Sequence, residues 1–238
     1  MTKFLQQRVG HRTFWHDPAR VQQVSQDYFS AQHWSQQNAL SGSAAGRGTT
    51  HFIQYETQEW VLRRYQRGGL IGRLLNDEYL FLGLNNTRGW RELALLEALQ
   101  TLNLPAPRPV AAMVERCGLY YRASLLTEKI AASRDGFELL QHSPWSEQQW
   151  RDVGRCIRRF HDHAVYHHDL NIHNIMLDGD NKVWLIDFDK CGFRPGEFWK
   201  PKNLARLKRS LQKEQKRCEQ FYWQESDWDA LQQGYNAC

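Results

Sequence analysis

The densest run of side chains able to do chemistry is His167-His168-Asp169-Leu170-Asn171-Ile172-His173-Asn174, and a second acid, Asp187, follows Leu185-Ile186. A carboxylate such as Asp169 can accept a hydrogen bond from a hydroxyl group and aim it as a nucleophile. The side chains of Asn174 and Asp187 offer hard oxygen atoms of the kind that small divalent cations prefer. Asp169 and Asn174 stand far enough apart in sequence for one loop to point a base in one direction and an amide in another. The plainer readings are that Asp and Asn serve as turn and capping residues, and that His161, His163, His167, His168 and His173 form a metal site or ordinary surface histidines. No histidine pair recurs at a zinc-ligand spacing.

These groups need scaffolding, and the flanking sequence supplies it. Ser146 and Gln149 have the spacing of a capping box, and Trp150, Val153, Ile157 and Phe160 recur at helical intervals, so a helix with one buried face leads into the loop. Beyond the loop, Ile175-Met176-Leu177, the turn Asp178 to Lys182 and Val183 to Ile186 predict a hairpin that returns Asp187 to the loop. Upstream, residues 41–50 are small and read as a loop, followed by a strand at Phe52 to Tyr55, a turn at Glu56 to Glu59 and a strand at Trp60 to Tyr65. Residues 89–102 are dense in helix formers and stop before Pro105, Pro107 and Pro109, after which the chain should run extended. A strand is expected over Gly118 to Leu126, and the polar step Thr127 to Ile130 marks a boundary between residues 1–128 and 129–238.

The two spacings together resemble the catalytic loop H-x-D-L-x-x-x-N and the metal-binding D-F-G position of the protein-kinase-like fold. That resemblance implies an α+β, two-lobed architecture with a small β-rich N-lobe and a reduced, mainly helical C-lobe. It implies phosphoryl transfer from ATP, with Asp169 orienting the acceptor hydroxyl and Asn174 and Asp187 holding Mg2+. In the first lobe Gly42, Gly46 and Gly48 would let backbone approach phosphate oxygens, and Arg63 would stand where such folds usually carry a lysine, with Arg64 the competing position. Glu92 resembles the helix glutamate that pairs with that cation, although an acid in a first helical turn needs no such partner. Thr127 to Ile130 resembles the hinge that meets adenine, which makes Glu128 and Ile130 candidate nucleotide contacts.

Only 51 residues follow Asp187, with no A-P-E segment, Asp189 in place of the motif glycine and Asn171 in place of the usual lysine. These departures favour a small acceptor over a protein. Across nearly its whole length the chain is similar to the bacterial 3-deoxy-D-manno-octulosonic acid (Kdo) kinases. The residues that carry this are Gly46-Arg47-Gly48-Thr49-Thr50, Val61 to Leu70, Asp169 to Asn174 and Asn203 to Leu211. The family implies phosphorylation of the Kdo 4-hydroxyl on a Kdo-bearing lipid A precursor, by a peripheral protein on the cytoplasmic side of a Gram-negative inner membrane. A heptose kinase of the lipopolysaccharide core, another small-molecule phosphotransferase, and a basic binding module or inactive kinase-like scaffold are the competing readings.

Composition agrees with a globular enzyme: 238 residues, 41% hydrophobic, 13% aromatic, and five cysteines without C-x-x-C spacing, expected to be reduced thiols. No apolar run approaches membrane-spanning length and the N-terminus lacks the pattern of a secretory signal, so a cytosolic protein is expected. The net charge of +5 is unevenly placed. Residues 190–217 hold ten Lys or Arg against two acids, +8, leaving −3 for the remainder. This predicts a local basic patch for an anionic membrane surface or acceptor phosphates; neither nucleic acid nor a stable protein partner is expected.

Overall fold

The computed structural model describes residues 3–45, 49–66 and 77–237, with six α-helices among them and one large antiparallel sheet. The chain separates into two compact units, 1–97 with 108–129, and 98–107 with 130–238. The stretch Ala98 to Pro107 thus belongs with the second unit although it precedes the final strands of the first.

The first unit contains β1 (Leu5–Val9), β2 (Arg12–His16), α1 (Ala31–Gln36), β3 (Leu40–Ala45), β4 (Thr49–Tyr55), β5 (Gln58–Arg64), β6 (Tyr79–Leu80), most of α2 (Arg88–Thr101), β7 (Pro109–Cys117) and β8 (Tyr120–Glu128). The strand order is β1-β2-β7-β8-β5-β4-β3, with β6 added to β8. Strands β7 and β8 lie in the middle and are apolar on both faces, as they must be when both faces are covered. On one face Trp60, Leu62, Ala111 and Leu126 pack with Trp34, Val21 and Val24 from the segment after β2. On the other lies α2, close enough that a Cβ at Gly89 would sit 3.4 Å from Cβ of Ala123.

Residues 41–50 are not one loop. Residues 41–45 belong to β3 and Thr49-Thr50 to β4, because an edge strand can be carried by its ladder to a neighbour even when its own residues have low strand propensity. Gly42 lies in β3 beside a register shift and is exposed, while Gly46 and Gly48 lie outside the described residues, as do Arg67 to Leu70. The turn before Trp60 is also tighter than expected. Gln58 and Glu59 already pair in β5, which leaves Glu56-Thr57 as a two-residue connection with Glu56 at φ 52°.

The second unit contains β9 (Arg134–Asp135), α3 (Gly136–His142), α4 (Glu147–Asp162), β10 (Val165–Tyr166), β11 (Ile175–Leu177), β12 (Val183–Leu185), β13 (Gly192–Phe193), α5 (Lys200–Arg217) and α6 (Glu225–Asn236). The capping box at Ser146 and Gln149 forms, and Trp150, Val153, Ile157 and Phe160 are buried. α6 crosses α4 at Gly154 and Gly234, where a Cβ on either glycine would overlap the backbone carbonyl of Leu231 or Arg151. Only glycine permits backbones to meet so closely. Hairpin β11–β12 pairs Ile175 with Leu185, and Asp178 closes its turn by accepting from the amides of Asp180 and Lys182 and from the Trp184 indole.

Candidate active site

The loop between β10 and β11 is fixed to the hairpin by two backbone carbonyls. The Ile186 amide donates to the Asn174 carbonyl at 3.0 Å, and the His167 ring donates through Nε2 to the Ile186 carbonyl at 2.9 Å. These bonds place the residue after Ile186, Asp187, against the loop. Its φ of 63° turns the chain sharply out of β12, a left-handed conformation that Asp tolerates better than most residues. Phe188 then turns into the core, stacked on Phe160 at 5.8 Å and meeting the His167 ring at 5.0 Å.

Within the loop, Asn171 and Asn174 both donate from their side-chain amides to the Asp169 carbonyl, at 3.0 and 2.8 Å. The Asn174 nitrogen is therefore committed, and its oxygen is the atom it can present to a cation. Asn174 and Asp187 together are two hard oxygen donors. That set suits Mg2+, which takes one or two protein ligands and draws the rest from phosphates and water.

Helix α5 runs along this loop and touches it at successive turns. Asn203 donates to the His167 carbonyl at 2.7 Å, Arg206 donates to an Asp169 carboxylate oxygen through Nε at 3.2 Å and through a second, shorter bond from Nη2, Ser210 accepts from the Ile172 amide, and Glu214 meets the His173 ring at 3.4 Å. Composition alone makes this segment a basic surface. The structure corrects that in part: Lys200 pairs with Glu197, Lys208 with Glu225, and Arg217 with Glu214, besides Arg206 with Asp169. Arg206 and Asn203 lie in a stretch that the sequence marks by its charge and by the family resemblance but not as part of the site, yet a polar residue at 203, 206, 210 and 214, beside buried Leu207 and Leu211, is a visible helical stripe.

Behind the loop runs a chain of hydrogen bonds whose direction can be deduced. The His167 carbonyl can only accept, so the Asn203 amide nitrogen faces it and Asn203 Oδ1 faces His161 Nε2 at 3.1 Å. His161 therefore carries its proton on Nε2, and Nδ1 accepts from the Tyr235 hydroxyl at 2.8 Å. Burial pushes the His161 pKa down to about 4 and also lowers that of His167, whose Nδ1 has no hydrogen-bond partner among the described residues. As pH falls through 6.5 the unfolded chain takes up a proton that folded His161 refuses until about 4, so stability falls with pH across that window. His161 alone should cost about 3 kcal/mol by pH 4, the free-energy equivalent of its shift. Urea unfolding at pH 7.5 and 4.5 should show the loss, and His161→Gln should shrink it; equal slopes in both proteins would remove His161 as the cause.

In the first unit, Arg63 and Glu92 meet. The Arg63 guanidinium donates to Glu92 Oε1, and the Tyr65 hydroxyl donates to Oε2 at 2.7 Å, with Glu92 only 4% exposed. Arg64, on the opposite strand face, pairs with Asp77 at 2.5 Å. Of the two arginines it is Arg63 that shares the face covered by α2. Glu128 ends β8, its amide donating to the Arg108 carbonyl at 2.8 Å and its carboxylate meeting Arg20 at 2.9 Å. Ile130 opens the second unit, with its carbonyl accepting from Ser133. Cys117, Cys156, Cys191 and Cys218 are free thiols, and Cys238 lies outside the described residues.

The comparisons with known proteins cover both units. The chain is 47% identical over 225 residues to a 3-deoxy-D-manno-octulosonic acid kinase of Photobacterium profundum, which takes in 94% of this chain and 95% of the relative. It is 46% identical over 200 residues to the protein of that name from Vibrio cholerae serotype O1, 84% of this chain and 85% of the relative. Against the protein of that name from Haemophilus influenzae (strain 86-028NP) it is 43% identical over 227 residues, 91% and 93% respectively. The family model described as lipopolysaccharide kinase (Kdo/WaaP) matches residues 31–235. With the loop, the second acid and the Arg63–Glu92 pair all inside that match, the chain belongs to the lipopolysaccharide kinase (Kdo/WaaP) family.

Proposed function

We propose that this chain is an ATP-dependent kinase that phosphorylates the 4-hydroxyl of Kdo on a Kdo-bearing lipid A precursor, with a two-lobed protein-kinase-like fold. The observation that carries this reading is the Asp169–Asn174–Asp187 arrangement, held by the Ile186 backbone inside a chain of this family. Asp169 accepts the hydrogen bond of the acceptor hydroxyl, whose oxygen bonds to the γ-phosphorus of ATP as the bond from that phosphorus to the β-bridging oxygen breaks and the hydroxyl proton passes to the Asp169 carboxylate. Asn174 and Asp187 would hold Mg2+, which when bound neutralises charge on the phosphates. Arg63, oriented by Glu92, serves as the phosphate cation in place of lysine and offers a fork rather than a point charge. Glu128 and Ile130 are proposed to lie along the adenine, and the Gly42 to Gly48 segment along the phosphates.

The acceptor is a lipid, so the protein works as a peripheral protein at the cytoplasmic side of the inner membrane. Phe198, 94% exposed next to Trp199 and close in sequence to Arg194, Lys200 and Lys202, supports a surface contact of that kind. No helix among the described residues is long and apolar enough to cross a membrane. The test is incubation of purified protein with ATP and Kdo-bearing lipid A precursor free of heptose, followed by mass spectrometry. A gain of one phosphate localised to Kdo is expected. Transfer only to heptose-bearing acceptors, or no transfer, would overturn the assignment.

A further inference from the structure

A pocket of about 470 Å³ opens on the second unit beside α5, with Tyr166, Arg194, Phe198, Lys202, Arg206 and Arg209 among its lining residues. Four of these are cations, and three of the four lack a carboxylate partner among the described residues. Lys200, Lys208, Lys213 and Arg217 have carboxylate partners, whereas none among the described residues pairs with Arg194, Lys202 or Arg209. Uncompensated positive charge in a concave site is unfavourable through self-repulsion unless an anion enters. The guanidinium of Arg194 lies over the Tyr166 ring, 5.0 Å from its centroid, which holds it at the pocket wall instead of leaving it to wander in solvent.

Arg206 links this pocket to the chemistry. It lines the pocket and also donates to the Asp169 carboxylate, so an anion seated among the cations lies one guanidinium away from the proposed base. We infer that this pocket binds the anionic group of the acceptor, and that Arg194, Lys202 and Arg209 determine acceptor specificity. The inference rests on the kinase reading above and gives its acceptor side a location. In an octulosonic acid the carboxylate is attached to the carbon two positions before the one carrying the 4-hydroxyl. A carboxylate on Arg206 and its neighbours therefore brings that hydroxyl toward Asp169, while Tyr166 and Phe198 offer aromatic walls to the sugar and the lipid.

Two anionic groups of the same acceptor share this chemistry, the sugar carboxylate and the lipid phosphates, and the experiment separates them. Lys202→Gln and Arg209→Gln, both at exposed positions, should each raise the KM for acceptor about 10-fold, the usual effect of losing one charge-assisted contact, with KM for ATP and melting temperature unchanged. Lys216→Gln removes one charge from the same helix outside the pocket and should leave KM alone. An acceptor with its carboxylate converted to an amide, and one lacking the lipid phosphates, are then tested with wild type and variants. Whichever erases the difference between them names the bound group, and either result upholds the site. Unchanged KM in both pocket variants, an equal rise in Lys216→Gln, or a difference that survives both acceptors overturns it. If wild-type protein transfers no phosphate to Kdo, the functional reading fails first; if it does and the variants match it, only the pocket assignment fails.

Discussion

Asp169→Asn is expected to lower kcat by about 10²- to 10⁴-fold, the range for loss of a positioned proton acceptor, while leaving nucleotide affinity and folding nearly intact. The two effects can be separated because of where the residue sits. Its ion pair with Arg206 is partly open, with side-chain exposures of 22% and 43%, and such pairs contribute no more than about 1 kcal/mol to stability. The Asp169 carbonyl that accepts from Asn171 and Asn174 belongs to the backbone and survives the substitution, so the loop keeps its internal bonds. Single-turnover phosphotransfer and binding of a fluorescent ATP analogue, measured on the same preparation, check this. Loss of ATP binding in parallel with kcat, or turnover at the wild-type rate, would count against Asp169 as the acceptor-orienting group.

Glu92→Gln should have the second-largest effect, and should change both stability and activity. Its carboxylate is buried and receives both the Arg63 guanidinium and the Tyr65 hydroxyl. Neutralising the buried acid removes a charge-assisted hydrogen bond from the guanidinium, at a cost of about 2 kcal/mol. A guanidinium no longer held in place should also reduce kcat/KM for ATP about 10²-fold, the scale of an ångström-level misplacement, with KM for the acceptor unchanged. Denaturant unfolding reads the first effect and steady-state kinetics on the folded protein the second. A variant that is less stable but fully active would make the Arg63–Glu92 pair a brace within the first unit and remove Arg63 from the phosphate site.

Local patterns in the sequence translated well into local structure. The helix carrying Trp150, Val153, Ile157 and Phe160, its capping box, and the hairpin after Asn174 all appear where periodicity and turn chemistry place them. Each depends on interactions between residues close in sequence. Residues 41–50 did not follow their composition, because an edge strand is held by its partner and not by its own propensity. The basic segment shows the same limit. Its excess charge was legible, but which of its cations are paired and which line one pocket depends on which side of the helix faces the loop.

By itself the sequence determined the constellation of Asp169, Asn174 and Asp187, the elements on either side of it and the resemblance to Kdo kinases, since each is encoded in spacing over a few residues. Tertiary structure decided which arginine meets Glu92 and what Asp169 and the loop rest on. Arg63 reaches Glu92 across 29 positions and Arg206 reaches Asp169 across 37. Contacts over such separations depend on strand register and helix packing, and neighbouring arginines of identical chemistry are told apart only by the face of the strand on which each lies.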